Sequence, residues 1–287
     1  MRVLVTGAAG QVGSAVAEAL EGAATVLAYD RHALDLTDPA QLVERIREAR
    51  PDVVVNAAAY TAVDKAEEDT GTARTVNAVA PGLIARACRE TGAALVHYST
   101  DYVFDGSKAS PYVESDPVAP LNAYGLTKLE GEQAIARAGC DHVILRTSWV
   151  YGPRGGNFLL TMLRAGATRE ELRVVDDQRG APTSSLALAK LTRELVAAGR
   201  DRLASASGVY HATAAGETTW FGFAQAIFAH REKSPRLVPI ASREWPTPAR
   251  RPAYSVLSSE KLAEAFGLRI GPWQQGLDEV MSRLPRA

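Results

Sequence analysis

Cysteine is nearly absent: Cys88 and Cys140 stand alone among 287 residues. Two thiols without metal-ligand spacing exclude a disulfide-stapled scaffold and a cysteine metal centre, so both are expected to be reduced core residues. Net charge is nearly absent too, with 32 Lys and Arg against 33 Asp and Glu, a formal −1. Such a chain has no long-range field to gather nucleic acid or an anionic membrane surface, and any phosphate it binds must be met locally. No apolar run approaches the roughly 18 residues of a membrane-spanning helix. Met1-Arg2 passes through Val3-Leu4-Val5 directly into Thr6-Gly7, too short and too glycine-interrupted for a signal peptide. The five histidines are scattered without ligand spacing, so no metal is expected. These absences predict a cytoplasmic protein with neither a membrane nor a nucleic acid as partner.

What is present is regular. Short apolar runs recur at Val3-Leu4-Val5, Thr25-Val26-Leu27-Ala28, Val53-Val54-Val55, Ala94-Leu95-Val96 and Val143-Ile144-Leu145. They are continuous, not alternating, as strands buried on both faces of a parallel sheet must be. Between them, helical spacing runs over 12–20, 40–50, 72–91 and 124–138. Strand followed by helix, repeated, predicts an α/β fold with a Rossmann-type doubly wound parallel sheet over residues 1–147. After Trp149 the pattern breaks up in Gly152-Pro153-Arg154-Gly155-Gly156, in Gly180-Ala181-Pro182 and in a proline-rich stretch over 239–252. A smaller α/β C-terminal substrate domain is therefore expected over 148–183 and 199–287, with a helix at about 184–198 returning to the first domain.

Thr6-Gly7-Ala8-Ala9-Gly10-Gln11-Val12-Gly13 follows the first strand and opens the first helix. Glycines at G-x-x-G-x-x-G spacing let a pyrophosphate approach backbone N–H groups and the positive end of the helix. Asp30 ends the second strand roughly 20 residues further on, where a carboxylate accepts hydrogen bonds from an adenosine ribose. Asp30 favours NAD, whereas Arg31 beside it can pair with the extra phosphate of NADP. The alternatives are incidental glycines in a tight turn and a solvated arginine.

Tyr124-Gly125-Leu126-Thr127-Lys128 places a phenol and an ammonium four residues apart on one helix face. A free phenol titrates near pH ~10, and a neighbouring ammonium is expected to lower that value toward the range useful in proton transfer to a ketone. A surface Tyr and Lys on an ordinary amphipathic helix would read the same way. The glycine loop upstream gives the pair its weight.

The glycine loop, Tyr124 and Lys128, and a threonine after the fourth apolar run, Thr100 in His97-Tyr98-Ser99-Thr100-Asp101-Tyr102, resemble the extended short-chain dehydrogenase/reductase family. Within it, 55–67, 146–151, 177–183 and 246–252 are similar to the dTDP-4-dehydrorhamnose reductases, over nearly the whole chain. The resemblance implies hydride transfer from NADPH, with NADH as the alternative donor, to the C4 ketone of a dTDP-linked 6-deoxy sugar. In that reading Tyr124 protonates the ketone oxygen, Thr100 hydrogen-bonds it, and Lys128 holds the nicotinamide ribose. Gly7, Gly10, Gln11, Val12 and Gly13 would line the diphosphate, and Asp35 and Leu36 the adenine end. Ala59, Tyr60 and Thr61 would run along the cofactor, with Tyr98 on the nicotinamide side. Asp101 and Trp149 would face the sugar, and Arg251 the nucleotide diphosphate.

Some members carry a glutamate two residues beyond the third glycine that serves a metal site at a dimer contact. This chain has Ala15 there, so no metal is expected, and monomer and homodimer both stay open. Dehydratases of the superfamily follow the catalytic threonine with Asp-Glu, whereas Thr100 precedes Asp101-Tyr102. Two other readings remain: a reductase of a talose- or streptose-type dTDP-4-keto sugar, and a non-catalytic partner resembling the regulatory subunit of methionine adenosyltransferase.

Overall fold

The computed structural model describes residues 1–285. Its centre is a six-stranded, wholly parallel sheet of β1 (Arg2–Thr6), β2 (Thr25–Tyr29), β3 (Val53–Asn56), β4 (Ala94–Thr100), β5 (His142–Thr147) and β6 (Gly208–His211), in the order β6-β5-β4-β3-β1-β2. Side chains alternate between faces along each strand. Val3, Val5, Val53, Val55 and Val96 therefore pack on one side against α1 (Gln11–Leu20) and other helices, while Leu4, Val54 and Leu95 pack on the other against α2 (Pro39–Ala49), α3 (Ala80–Thr91) and α4 (Ala123–Ala138). Both faces are covered, which is why the runs are continuously apolar.

β6 lies within the stretch that the sequence assigns to the second domain, yet it pairs with β5 from Gly208↔Val143 to His211↔Arg146. Gly-Val-Tyr-His is too short and too polar to stand out as an apolar run. The helix α6 (Ser185–Ala197), preceded in the chain by α5 (Phe158–Gly166), brings Leu188, Leu191 and Leu195 into the same core as Val16 and Leu20 of α1. The remaining C-terminal structure is small. Glu171–Val175 pairs in parallel with Arg236–Ile240, and α7 (Trp220–Ala229) covers it, burying Leu172, Val174, Ala224 and Phe228. No helix among the described residues is long and apolar enough to cross a membrane.

Helical spacing over 72–91 corresponds to one continuous helical segment whose second turn, Thr75–Val79, widens to π geometry before α3. Asn77 lies in the middle of this wide turn and is fully buried, hydrogen-bonded to the backbone of Tyr60 in the site described next.

Candidate active site

Strand ends, the glycine loop and α4 meet along a cleft of about 970 Å³. One end is built by the glycine loop. Gly7 has φ +66°, and a Cβ on Gly13 would lie 2.1 Å from the Gly7 carbonyl oxygen, so only glycine allows the loop to fold this tightly onto α1. No side chain caps α1, and its first-turn amides are left for an anionic ligand. Gly7, Gly10, Gln11 and Val12 line the cleft there, while Gly13 sits behind them. Gln11 is fixed from above, donating to the Gly156 carbonyl at 3.2 Å and accepting from Asn157 at 2.9 Å. A dinucleotide diphosphate fits this cradle.

Arg31, Asp35 and Leu36 line the same cleft. Asp30 does not: its Oδ1 accepts from the backbone N–H groups of His32 and Ala33, and the Ala33 contact leads in holding its carboxyl below the usual range. Ala59, Tyr60 and Thr61 form one wall. Asn77 secures it, accepting from Tyr60 N–H at 2.8 Å and donating to the Tyr60 carbonyl at 3.0 Å.

The far end collects Tyr98, Thr100, Asp101, Tyr124, Lys128 and Trp149. Tyr124 stands in the first turn of α4, capped by Asn122, which accepts from Gly125 N–H at 2.8 Å and donates to the Arg250 carbonyl at 2.7 Å. Two glycines press this helix against its surroundings. A Cβ on Gly125 would meet the Tyr102 carbonyl oxygen at 2.2 Å, and one on Gly131 the Asn77 carbonyl oxygen at 2.1 Å.

Burial pushes the Tyr124 phenol up to about 12, against the Thr100 hydroxyl, which favours the phenolate. The expectation that Lys128 lowers this phenol is corrected. The Lys128 ammonium is occupied elsewhere, donating to the Tyr98 carbonyl at 2.6 Å and standing 3.3 Å from His97 Nε2. Burial brings Lys128 down to about 8, opposed by the Glu132 carboxylate. Asp101 is pushed up to about 7 by burial; its Oδ1 accepts from Thr100 at 3.0 Å. Its Oδ2 and the Thr147 hydroxyl are buried without a hydrogen-bond partner among the described residues. Two unpartnered polar atoms in one cleft suit the hydroxyls of a sugar, because a buried polar group is costly until paired.

Trp149 lines the cleft in the left-handed region at φ +48° and stacks face to face on Trp220, with centroids 3.5 Å apart and planes within 3°. Arg251 does not line the cleft. Asp64 holds it through two oxygens, at 2.8 and 3.1 Å. Among the described residues no three His, Cys, Asp or Glu side chains gather to hold a metal, and Ala15 is a core residue of α1.

Sequence reasoning missed Asn77, Thr147, Trp220 and the Gly155-Gly156 stretch. The glycines in 152–156 are a visible signal, whereas Asn77 and Trp220 reach the site only through tertiary packing.

The family model described as the RmlD substrate binding domain matches residues 1–285. A dTDP-4-dehydrorhamnose reductase of Burkholderia thailandensis is 50% identical over 285 residues, covering 96% of each chain. A Streptomyces antibioticus relative named "Probable dTDP-4,6-dihydroxy-2-methyloxan-3-one 4-ketoreductase" is 42% identical over 98% of this chain and 94% of its own. The crystal structure of a Bacillus anthracis dTDP-4-dehydrorhamnose reductase in complex with NADP superposes with a TM-score of 0.93 at 36% identity, covering 99% of both chains. By sequence along its whole length and by fold, the chain belongs to the dTDP-4-dehydrorhamnose reductase family.

Proposed function

We propose that the protein reduces the C4 ketone of dTDP-4-dehydro-L-rhamnose to dTDP-L-rhamnose, with NADPH as the hydride donor and Tyr124 as the proton donor. The observation that carries this reading is the convergence of Thr100, Tyr124 and Lys128 at one end of a cleft whose other end is a diphosphate cradle. When bound, NADPH supplies the hydride. Tyr124, protonated throughout the neutral range, gives its proton to the ketone oxygen as C4 is reduced. Thr100, which lines the same end of the cleft and whose hydroxyl favours the phenolate of Tyr124, orients the same oxygen. Lys128, still largely cationic at neutral pH, holds the nicotinamide ribose from beside Tyr124.

Arg31 at the adenine end is the residue for a 2′-phosphate, since the Asp30 carboxylate is engaged by its own loop. Asp35 and Leu36 would then flank the adenine, while Ala59, Tyr60, Thr61 and Tyr98 follow the cofactor toward the nicotinamide. Asp101 and Thr147 would receive sugar hydroxyls, with Trp149 offering its indole face to the ring. Arg251 would serve the nucleotide diphosphate by exchanging Asp64 for it. The Streptomyces antibioticus relative supports one second reading, in which the substrate is another dTDP-4-keto sugar.

The deciding experiment follows oxidation of NADPH and of NADH by the purified protein with dTDP-4-dehydro-L-rhamnose generated in place, and identifies the sugar formed. Rapid oxidation yielding dTDP-L-rhamnose, without any partner protein, is the expected result. Oxidation only with a different keto sugar would reassign the substrate, and none with any would overturn the reading.

A further inference from the structure

Thr6, Asn56 and His97 are direct neighbours across β1, β3 and β4, through the pairs Thr6↔Asn56 and Asn56↔His97. All three are fully buried. They continue the face that carries Leu4, Val54 and Leu95, so at the carboxyl ends of the strands an apolar layer gives way to a row of polar side chains. The row is connected: the Thr6 hydroxyl lies 2.6 Å from Asn56 Oδ1, the Asn56 amide 3.0 Å from His97 Nδ1, and His97 Nε2 3.3 Å from Lys128 Nζ. A buried row of this kind is costly unless every member is paired, and it ends on the ammonium of the active site.

Pairing dictates the proton positions. An ammonium only donates, and two of the three N–H groups of Lys128 are accounted for: one on the Tyr98 carbonyl, one aimed at His97. His97 Nε2 must then accept, so its single proton sits on Nδ1. That N–H needs an acceptor: Asn56 stands with its oxygen accepting from the Thr6 hydroxyl and its NH2 facing Nδ1, and the Nδ1–H tautomer requires these two ends exchanged, the oxygen toward the imidazole and the NH2 toward the Thr6 oxygen. A half-turn of the amide, whose two ends are alike in shape, achieves this. We infer that His97 is a positioning residue for the reduction: as the Nδ1–H tautomer locked by Asn56, it accepts from Lys128 and directs the third Lys128 N–H into the cleft beside Tyr124.

Burial keeps the imidazole neutral, holding it well below its ordinary value, with Lys128 and then His142 on β5 adding to the effect. The other charge acting on Lys128 is Glu132 on α4, already paired with Arg146 of β5 and with Ser99. Loss of the His97 acceptor therefore weakens the ammonium, not the carboxylate.

The inference rests on the proposed reductase reading, and a readout that does not depend on turnover separates the two. Nitrogen-15 NMR of histidine-labelled protein, with His97→Gln used to assign the signal, is expected to show a bare Nε2 and a protonated Nδ1. Protonated Nε2 would overturn the inference whatever the protein reduces. In kinetics, His97→Met removes the acceptor, whereas His97→Gln restores a side-chain oxygen near the Nε2 position. His97→Met is expected to lower kcat about 10- to 100-fold, the worth of one hydrogen bond to a charged group, with KM for NADPH changed by less than about twofold. Its basic limb should move to lower pH, and His97→Gln should regain most of both. Equal kcat and pH profiles for the two variants would sink the inference. An inactive wild-type enzyme with a bare His97 Nε2 would instead point to the wrong substrate.

Discussion

Glu132 accepts two hydrogen bonds from the Arg146 guanidinium, from Nε at 2.9 Å and from Nη2 at 2.7 Å, with both side chains about 5% exposed. Glu132 also accepts from the hydroxyl of Ser99, the residue before Thr100. Tyr124, Lys128 and Glu132 recur every four residues on α4 and so share one face. The ion pair fastens that face to β4 and β5 one turn beyond Lys128, which sets where the phenol stands.

Breaking the pair from one side leaves a buried charge alone. Arg146→Met is expected to destabilise the protein by about 3–5 kcal/mol, and adding Glu132→Leu to recover a large part of that loss, because the stranded carboxylate is then removed. Denaturant midpoints of the single and double variants check this. Additive losses would show that the two side chains do not act as a pair.

Tyr124→Phe keeps the ring and removes the proton. Turnover is expected to fall by about 10²–10⁴ while the dissociation constant for NADPH changes only severalfold, since the lost interaction belongs to the transition state. Single-turnover kinetics and a fluorescence titration measure the two quantities. Near-normal turnover would remove Tyr124 from the role of acid.

Asp101 makes stability depend on pH with a definite sign. Its carboxyl rises from 3.8 in the open chain to about 7 when folded, so the native state holds the proton more tightly. That contribution is complete below the open-chain value and is lost as pH rises through the folded one. Asp101→Asn has no such loss. The variant should therefore gain on the wild type between about pH 4 and about pH 8 in denaturant midpoint, whatever happens to its activity. A gap that stays constant with pH would mean that the carboxyl is not perturbed.

Arg31 is largely exposed, and its one ion pair among the described residues is a 3.9 Å contact to Asp35. It is free to turn onto a 2′-phosphate. Arg31→Ala is expected to raise KM for NADPH about tenfold and leave KM for NADH within about twofold, as loss of one charge-assisted contact requires. Equal effects on both cofactors would place the residue elsewhere.

Much of the site was legible because its determinants are local. Gly10 and Gly13 are set by their close approach to the Gly7 carbonyl a few residues back, while Gly7 itself packs on Ala57 and Ala58 just beyond β3, and Tyr124 and Lys128 are set by helical spacing alone. Asp30 shows a local effect of another kind: a short carboxylate at a strand end can bond its own following amides, and here its Oδ1 does. Arg251 was placed by resemblance, and its engagement by Asp64, 187 residues away in sequence, had no local sign. The same holds for Asn77 clamping Tyr60 and for Trp220 stacked on Trp149.

The apolar runs, the glycine spacing and the Tyr-Lys register were enough by themselves to specify a parallel sheet, a tight glycine loop opening the first helix and a Tyr-Lys pair on one helix face, because strand and helix periodicities are properties of the chain. Only the tertiary structure decided the electrostatics. Burial raises Tyr124, Asp101 and lowers Lys128, and Lys128 turns to His97 and Tyr98 instead of tuning the phenol. Desolvation and pairing depend on what surrounds a group in space, and residues from β4, β5, the π-bulge and α7 reach this cleft only once the sheet has formed.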